Sequence, residues 1–178
     1  EAITSKLEFD TEKPSIGDIM RLQSSDLDSL TLSDQGTISV SSANGGTAGN
    51  VNISANRVAL DSGSIQAEAD AGDKGNITIN SLDLLFLGNN SSITTNATAT
   101  ATGGNITLNS PIILGIDNSD ISANADQGDG GNIRLVTQGL IGLAFRDELT
   151  PKNDITATSE TGVDGTVDIE SPTVDSDS

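Results

Sequence analysis

Gly-Asn-Ile-Thr-Ile, residues 75–79, decides the fold of this chain because related pentapeptides recur along the sequence. They begin at Gly49, Gly104, Gly131 and, in degenerate form, Gly165. The spacings from glycine to glycine are 26, 29, 27 and 34 residues. A repeat of this length that holds only turns and short apolar segments is typical of a solenoid.

Two more apolar segments follow each pentapeptide. The first is an aliphatic run: Leu30 and Leu32, Val58 and Leu60, Leu85 and Leu87, Ile112 and Leu114, and then Leu140 to Leu143. The second begins at an isoleucine in every repeat: Ile38, Ile65, Ile93, Ile121 and Ile155. These isoleucines are 27, 28, 28 and 34 residues apart, in step with the glycines. Two independent columns therefore share one period.

We predict an all-β fold, a parallel β-helix (β-solenoid) of about five coils of about 27–28 residues, with three short strands per coil. Coils are expected to begin near residues 28, 49, 75, 104 and 131, with a last partial coil at 165. Because side chains alternate across a strand, two core columns are expected: Val51, Ile77, Ile106, Ile133 and Val167, and Ile38, Ile65, Ile93, Ile121 and Ile155. Polar Thr, Asn and Ser should fill the outer rows.

The residue after the turn glycine is asparagine in four repeats: Asn50, Asn76, Asn105 and Asn132. Stacked asparagine side chains can hydrogen-bond along a rod, and asparagine tolerates the backbone angles of tight turns. We predict a structural ladder at these positions. A glycan-bearing or metal-binding role is the weaker interpretation.

Residues 1–26 do not fit the repeat and are interpreted as an N-terminal cap or, equally well, as a linker. A short capping helix starting at Pro14–Ser15 would place Ile16, Ile19, Met20 and Gln23 on one face. The repeats occupy residues 27–170, and residues 171–178 form an acidic tail.

The last coil contains an insertion, residues 142–153. We predict that it folds over the C-terminal end as a cap built on Phe145, Arg146 and Asp147. Phe145 is expected to plug the core and Arg146 to pair with a carboxylate.

Composition restricts the function. The 178-residue chain has a formal net charge of −18, which argues against a nucleic-acid surface, and it has no apolar run long enough to span a membrane. It contains no His, Cys, Tyr or Trp, so most nucleophile, base and transition-metal arrangements are excluded. No catalytic, cofactor or metal residues are predicted. Solvated carboxylates are the favoured interpretation of the acidic turns, and weak Ca²⁺ binding is the alternative. Examples of such turns are Asp126/Asp129, Asp70/Asp73 and Asp117/Asp120.

Two other functions fit the sequence less well. A polysaccharide lyase or hydrolase of β-helix fold would need acidic and basic residues together on one stacked face, and basic residues are scarce. An ice-ordering threonine array around residues 93–102 is not repeated in the neighbouring coils, which carry Gln66, Glu68, Ser122 and Asn124 at matching places.

Residues 131–170 resemble the C-terminal repeat region of cyanobacterial-type filamentous-haemagglutinin-like proteins, the exoproteins of two-partner secretion systems. The resemblance rests on Gly131–Leu143, Phe145–Asp147, Leu149–Pro151, Asp154–Glu160 and Gly162–Val167, and extends over residues 28–175. It implies a right-handed parallel β-helix, exported through an outer-membrane partner transporter and acting at an extracellular glycan or protein surface.

The predicted function is therefore a non-enzymatic structural or adhesive β-solenoid, secreted or at the outer cell surface. A carbohydrate-active β-helix enzyme and a self-assembling extracellular filament subunit, which would associate end to end, are the alternatives.

Overall fold

The computed structural model describes residues 7–8, 19–23, 28–42, 48–70 and 74–171, and within these ranges the chain is all-β with no helix. The strands are β1 (Leu7–Glu8), β2 (Ile19–Gln23), β3 (Ser29–Ser33), β4 (Thr37–Ser39), β5 (Asn50–Asp61), β6 (Ser64–Gln66), β7 (Ile77–Gly88), β8 (Ser92–Thr94), β9 (Ile106–Asn109), β10 (Ile112–Gly115), β11 (Asp120–Ser122), β12 (Ile133–Val136), β13 (Gly139–Ile141), β14 (Ala144–Phe145), β15 (Asp154–Thr156) and β16 (Val167–Glu170). Their pairings are parallel, which confirms the predicted β-solenoid. It has about four turns, slightly fewer than predicted.

The strands form two sheets. The seven-strand sheet stacks β1, β4, β6, β8, β11, β15 and β14 in that order. The nine-strand sheet contains two ladders that share the long strands β5 and β7. Its first ladder is β2, β5, β7, β9, β12 and β16, and its second ladder is β3, β5, β7, β10 and β13. Each coil thus contributes strand residues to the first ladder, then to the second ladder, and then to the seven-strand sheet.

Residues of the two predicted core columns are direct neighbours in the sheets. Ile77 pairs with Val51 and with Ile106, and Ile133 pairs with Ile106 and with Val167. Ile38, Ile65, Ile93, Ile121 and Ile155 form the second unbroken column. All are at most 1% exposed except Val167, which is partly buried on the last rung. Apolar burial between adjacent rungs is the main stabilising contribution of such a stack.

The turn glycine is required because consecutive coils touch there. A Cβ atom on Gly104 would lie 1.7 Å from the carbonyl oxygen of Gly75, and one on Gly131 would lie 1.9 Å from that of Gly104. No side chain fits in this space, which explains why the pentapeptide begins with glycine in each repeat.

The helical prediction for the N-terminal region is wrong where it can be checked. Ile19–Gln23 forms β2, which pairs in parallel with the start of β5. The physical reason is that the exposed edge of the first ladder offers backbone partners that an isolated helical turn lacks. Pro14–Ser15 and Ile16 lie outside the described residues, as does the acidic tail beyond residue 171.

The prediction of a polar outer surface is also wrong on the second ladder. Ile113, not Ile112 or Leu114, points into the core there, since it pairs with Leu85 and is 0% exposed. Ile112 is consequently 42% exposed on the outside. The register with β7 sets the direction of these side chains, and in an uninterrupted apolar run the sequence does not reveal it.

Candidate functional surfaces

The four predicted asparagines form one continuous hydrogen-bonded ladder. The Oδ1 atom of Asn50 accepts from the backbone N–H of Asn76 at 2.8 Å, that of Asn76 from Asn105 at 2.9 Å, and that of Asn105 from Asn132 at 3.1 Å. Thr166 ends the series by donating its N–H to Asn132 at 3.1 Å. The amide oxygens therefore satisfy backbone groups of the next coil, as a structural ladder requires.

Two further ladders follow the same rule and were missed in the sequence. Ser119 Oγ accepts from Ser91 N–H at 3.1 Å, and Asn153 Oδ1 accepts from Ser119 N–H at 3.0 Å. Elsewhere, Asn96 accepts from Asn124 at 2.8 Å and Asn124 from Thr158 at 2.9 Å. The signal was present: these polar residues recur at separations of 28 and 34, as the core isoleucines do.

A second, smaller apolar cluster was also missed. It consists of Ala48, Ala69, Ala97, Ala101 and Ala125, each at most 4% exposed. Isolated parallel bridges join Ala69 to Ala97 and Ala97 to Ala125. Alanine is small enough for the chain to turn back closely here, and it gives little hydrophobic signal in the sequence.

The corner after the second ladder is a stack of left-handed turns. Positive φ angles occur at Asp34, Gln35, Ser62, Asn89, Asn90, Asp117 and Asn118. Asp and Asn adopt this region more readily than most residues, which accounts for their frequency at this corner. Neighbouring turns are linked, for example by Asn89 Nδ2, which donates to Asp61 at 2.5 Å.

The acidic pairs considered as cation sites are partly engaged with the backbone. Asp120 accepts from the N–H of Asp154 at 2.8 Å, and Asp129 from that of Val163 at 2.9 Å. Asp73 lies outside the described residues. In the part of the chain that the structure describes, no three acidic residues are grouped so that they could hold a metal ion. Weak Ca²⁺ binding at these turns stays a prediction.

The insertion at 142–153 adds an extra strand to the C-terminal end of the seven-strand sheet. β14 pairs in parallel with β15 and lies outside it, although β14 comes before β15 in the chain. Leu143 is the residue that enters the core, with 7% exposure. The prediction that Phe145 plugs the core is wrong, since Phe145 is 54% exposed. It pairs with Ile155 on the outermost strand of this sheet, where no described strand stacks over it.

Arg146 pairs with the carboxylate of Asp154, while Asp147 is exposed. Asp154 is fully buried and also accepts hydrogen bonds from the N–H and hydroxyl of Thr150. Burial alone would raise the pKa of Asp154, but the hydrogen bonds from Thr150 and Arg146 outweigh it and hold the pKa below its usual range. Burial, together with the Asp154 charge, raises the pKa of Asp120. Since Asp154 is 0% exposed, its carboxylate holds the insertion in place and does not face the solvent.

A groove of about 290 Å³ lies at the corner between the two ladders. It crosses three coils and is lined by residues 80–82, 109–111 and 136–138. Its walls combine Leu82, 71% exposed, with amides such as Gln138, Asn80 and Asn109; Asn109 Nδ2 donates to Asn80 Oδ1 at 2.7 Å. The groove therefore offers apolar contacts from Leu82, Pro111 and Val136 beside its amide groups. Asn80 and Asn109 lie one coil apart, roughly 4.8 Å in a parallel stack.

The fold and these surfaces define the chain as a parallel β-solenoid with polar ladders, whose insertion adds an outermost strand to the seven-strand sheet. Its sequence and structure match no protein-family model, curated protein or solved structure with which they were compared. Within the described ranges, no helix is both apolar enough and long enough to cross a bilayer.

Proposed function

We propose that this chain is a non-enzymatic, secreted or cell-surface β-solenoid of the filamentous-haemagglutinin type, with a structural or adhesive role. In this proposal an outer-membrane two-partner secretion transporter exports it. The solenoid then presents its outer rows to an extracellular glycan or protein surface.

The observation that carries the proposal is the groove across three coils. A rigid stack holds Asn80 and Asn109 in register on adjacent rungs. Their partner on the third rung is Val136, and Gln138 lies two residues beyond it, so an extended polymer lying along the rod would meet an amide side chain on each rung. Amides and hydroxyls are the groups that hydrogen-bond sugars, and Leu82 supplies an apolar contact. Among the described residues, the ion pair of Arg146 with the buried Asp154 supports a non-enzymatic role, because it is engaged in holding the insertion.

Binding of the purified chain to arrays of extracellular glycans and matrix proteins tests the proposal. Leu82→Ser and Gln138→Ala are expected to weaken binding by about 3–10-fold each, since each removes one groove contact. Val163→Thr is the matched control, because Val163 is 70% exposed but does not line the groove. New reducing ends or unsaturated products released from acidic polysaccharides would refute the non-enzymatic role and favour the lyase or hydrolase.

The filament alternative is favoured by a different feature, the last rung of the first ladder. Ile169 on β16 is 43% exposed, and no described strand pairs with the outer edge of β16. An unpaired strand edge with apolar side chains favours the addition of further strands. End-to-end fibres in negative-stain micrographs would support this alternative, and isolated short rods at high protein concentration would argue against it.

A further inference from the structure

The outer face of the second ladder carries an apolar patch on an otherwise acidic protein. We define the outer apolar patch as Leu84, Phe86, Ile112, Leu114, Ile116 and Ile141. Ile112, Ile116 and Ile141 are 42%, 40% and 52% exposed, and the other three are partly buried. Contiguous exposed apolar surface of this kind on a soluble protein marks an interaction site more often than chance placement does.

The patch is contiguous because its residues are paired in the sheet. Leu84 pairs with Ile112, Phe86 with Leu114, and Leu114 with Ile141. The Phe86 ring lies over Gly88, where a Cβ atom would be 2.6 Å from the ring, and Ile116 packs beside the same glycine. The core already lies on the other face, formed by Leu85 and Ile113, so the fold itself does not require apolar residues outside.

The rung before the patch carries opposite charges at its two ends. Arg57 and Asp61 are both exposed and flank Ala59 on β5, four residues and so roughly 13 Å apart. Arg57 makes no ion pair with any described residue. Ala59 continues the column of Phe86, Leu114 and Ile141, so the charges are placed symmetrically about the midline of the patch.

We propose that a second copy of this chain covers the outer apolar patch, forming a side-by-side dimer whose two-fold axis runs along the rod. Such an axis keeps each rung opposite the same rung of the other copy and reverses the strand direction. A residue before the midline therefore faces the residue that lies equally far beyond the midline on the same strand of the other copy. Ala59, Phe86 and Leu114 then meet their own copies. Ile112 meets Ile116, and Leu84 meets the Phe86 ring that covers Gly88.

Charge complementarity favours this occupant. Under the same axis Arg57 of each copy faces Asp61 of the other, which gives two reciprocal ion pairs. An axis along the strands would instead place Arg57 opposite Gly139 and leave the charges unmatched. The direction of the axis is therefore set by the sequence of β5.

The area of the face sets the expected strength. Five residues along each strand and the four rungs β5, β7, β10 and β13 span roughly 17 Å by 19 Å, or about 320 Å² per copy. A stable dimer buries about 800 Å² per partner, so this face supports a weak association. The net charge of −18 on each copy opposes it at low ionic strength. The dimer is expected at high protein concentration and moderate salt.

Sedimentation equilibrium over about 5–500 µM protein, in roughly 0.3 M NaCl, tests the proposal. The wild-type chain should show a reversible monomer–dimer equilibrium. Ile112→Thr with Ile116→Thr should raise the dissociation constant at least ~10-fold, since it removes the central apolar contacts. Val163→Thr, an exposed valine outside the patch, should leave it unchanged. Circular dichroism checks that each variant is folded.

Charge reversal tests the axis itself. Arg57→Asp alone and Asp61→Arg alone each place like charges opposite one another, and each should weaken the dimer by about 3–10-fold. The double variant restores the pairing in reversed sense and should recover the wild-type constant to within about twofold. A generic change in surface charge would not produce this recovery.

A monomer throughout the concentration range would overturn the proposal. So would a dimer that the isoleucine substitutions leave intact, which would locate the contact elsewhere, for example at the end of the rod. Failure of the charge rescue would refute the two-fold axis. The adhesive role does not depend on this dimer, because the groove variants test that role separately.

Discussion

Gly104→Ala is expected to disrupt the stack at its middle coils. The added Cβ would lie 1.7 Å from the carbonyl oxygen of Gly75 and 2.9 Å from Cβ of Thr95. Gly104 is also held by two hydrogen bonds to Thr95: its N–H donates to the Thr95 carbonyl at 2.9 Å, and its carbonyl accepts from the Thr95 hydroxyl at 2.7 Å. The Gly75 and Gly104 backbones cannot separate without disturbing these bonds.

The size of the effect follows from these contacts. Real Cβ atoms essentially never approach other atoms within 3.0 Å, so the two turns must move apart by more than 1 Å. Overpacking of a close-packed site costs about 1–3 kcal/mol, and each weakened hydrogen bond adds about 1 kcal/mol. We therefore expect Gly104→Ala to lower the free energy of unfolding by about 3–5 kcal/mol.

Gly139→Ala is the matched control, because a Cβ atom there has no neighbour within 4 Å. It should change the free energy of unfolding by less than about 1 kcal/mol, with a stabilising sign if the loss of chain entropy in the unfolded state dominates. The chain has no Trp or Tyr, so urea unfolding is followed by far-ultraviolet circular dichroism. Equal midpoints for the two variants would refute the argument that close backbone approach selects glycine in the repeat.

Three further outcomes are expected, and far-ultraviolet circular dichroism follows unfolding in each, by urea for the first two and by heating for the third. Leu143→Ala should lower the free energy of unfolding by about 2–4 kcal/mol and Phe145→Ala by less than about 1 kcal/mol, because only Leu143 is buried. A larger loss for Phe145→Ala would indicate that Phe145 is the residue that fills the core. As pH falls, protonation of Asp120, whose pKa is raised, removes an unfavourable charge and stabilises the last coil. Below pH 3.8, the ordinary pKa of an aspartate, further acidification lowers the free energy of unfolding, because the pKa of Asp154 is lower in the folded chain. Asp154→Asn should not show this loss of stability at low pH, while the stabilisation from Asp120 should remain. Raising NaCl from about 10 to 150 mM should raise the melting temperature, since it screens the repulsion within a chain of net charge −18.

The features that depend on the spacing of the repeats could be predicted from the sequence. The features that depend on which face of a strand a side chain occupies could not. Ile77 and its column could be found because each is apolar between polar neighbours, and the turn glycine fixes the distance from one to the next. Leu84 to Leu87, by contrast, is apolar at every position, so the same letters fit either face. Only the pairing of Leu85 with Val58 determines that Leu84 and Phe86 point outward.

The candidate surfaces divide in the same way. The asparagine ladder was predictable because one residue type recurs at one place, whereas the ladder from Ser91 through Ser119 changes to Asn153 in the last coil. The insertion could be located from its irregular spacing, but its internal arrangement could not. Phe145 is the one aromatic residue of the insertion and so the expected residue for burial. Its pairing with Ile155 leaves it on an outermost strand, and Leu143 occupies the core position instead.

The even spacing of the strand pairings has a consequence for how fast the chain folds. The ladder bonds join residues mostly 26 to 34 positions apart, so pairing partners are separated by roughly 0.16 of the 178-residue chain. That separation belongs to the slow, millisecond-to-second class of β proteins. A rod of the same design with more coils would still close loops of one coil only. Lengthening it would therefore add stability without adding a more difficult search.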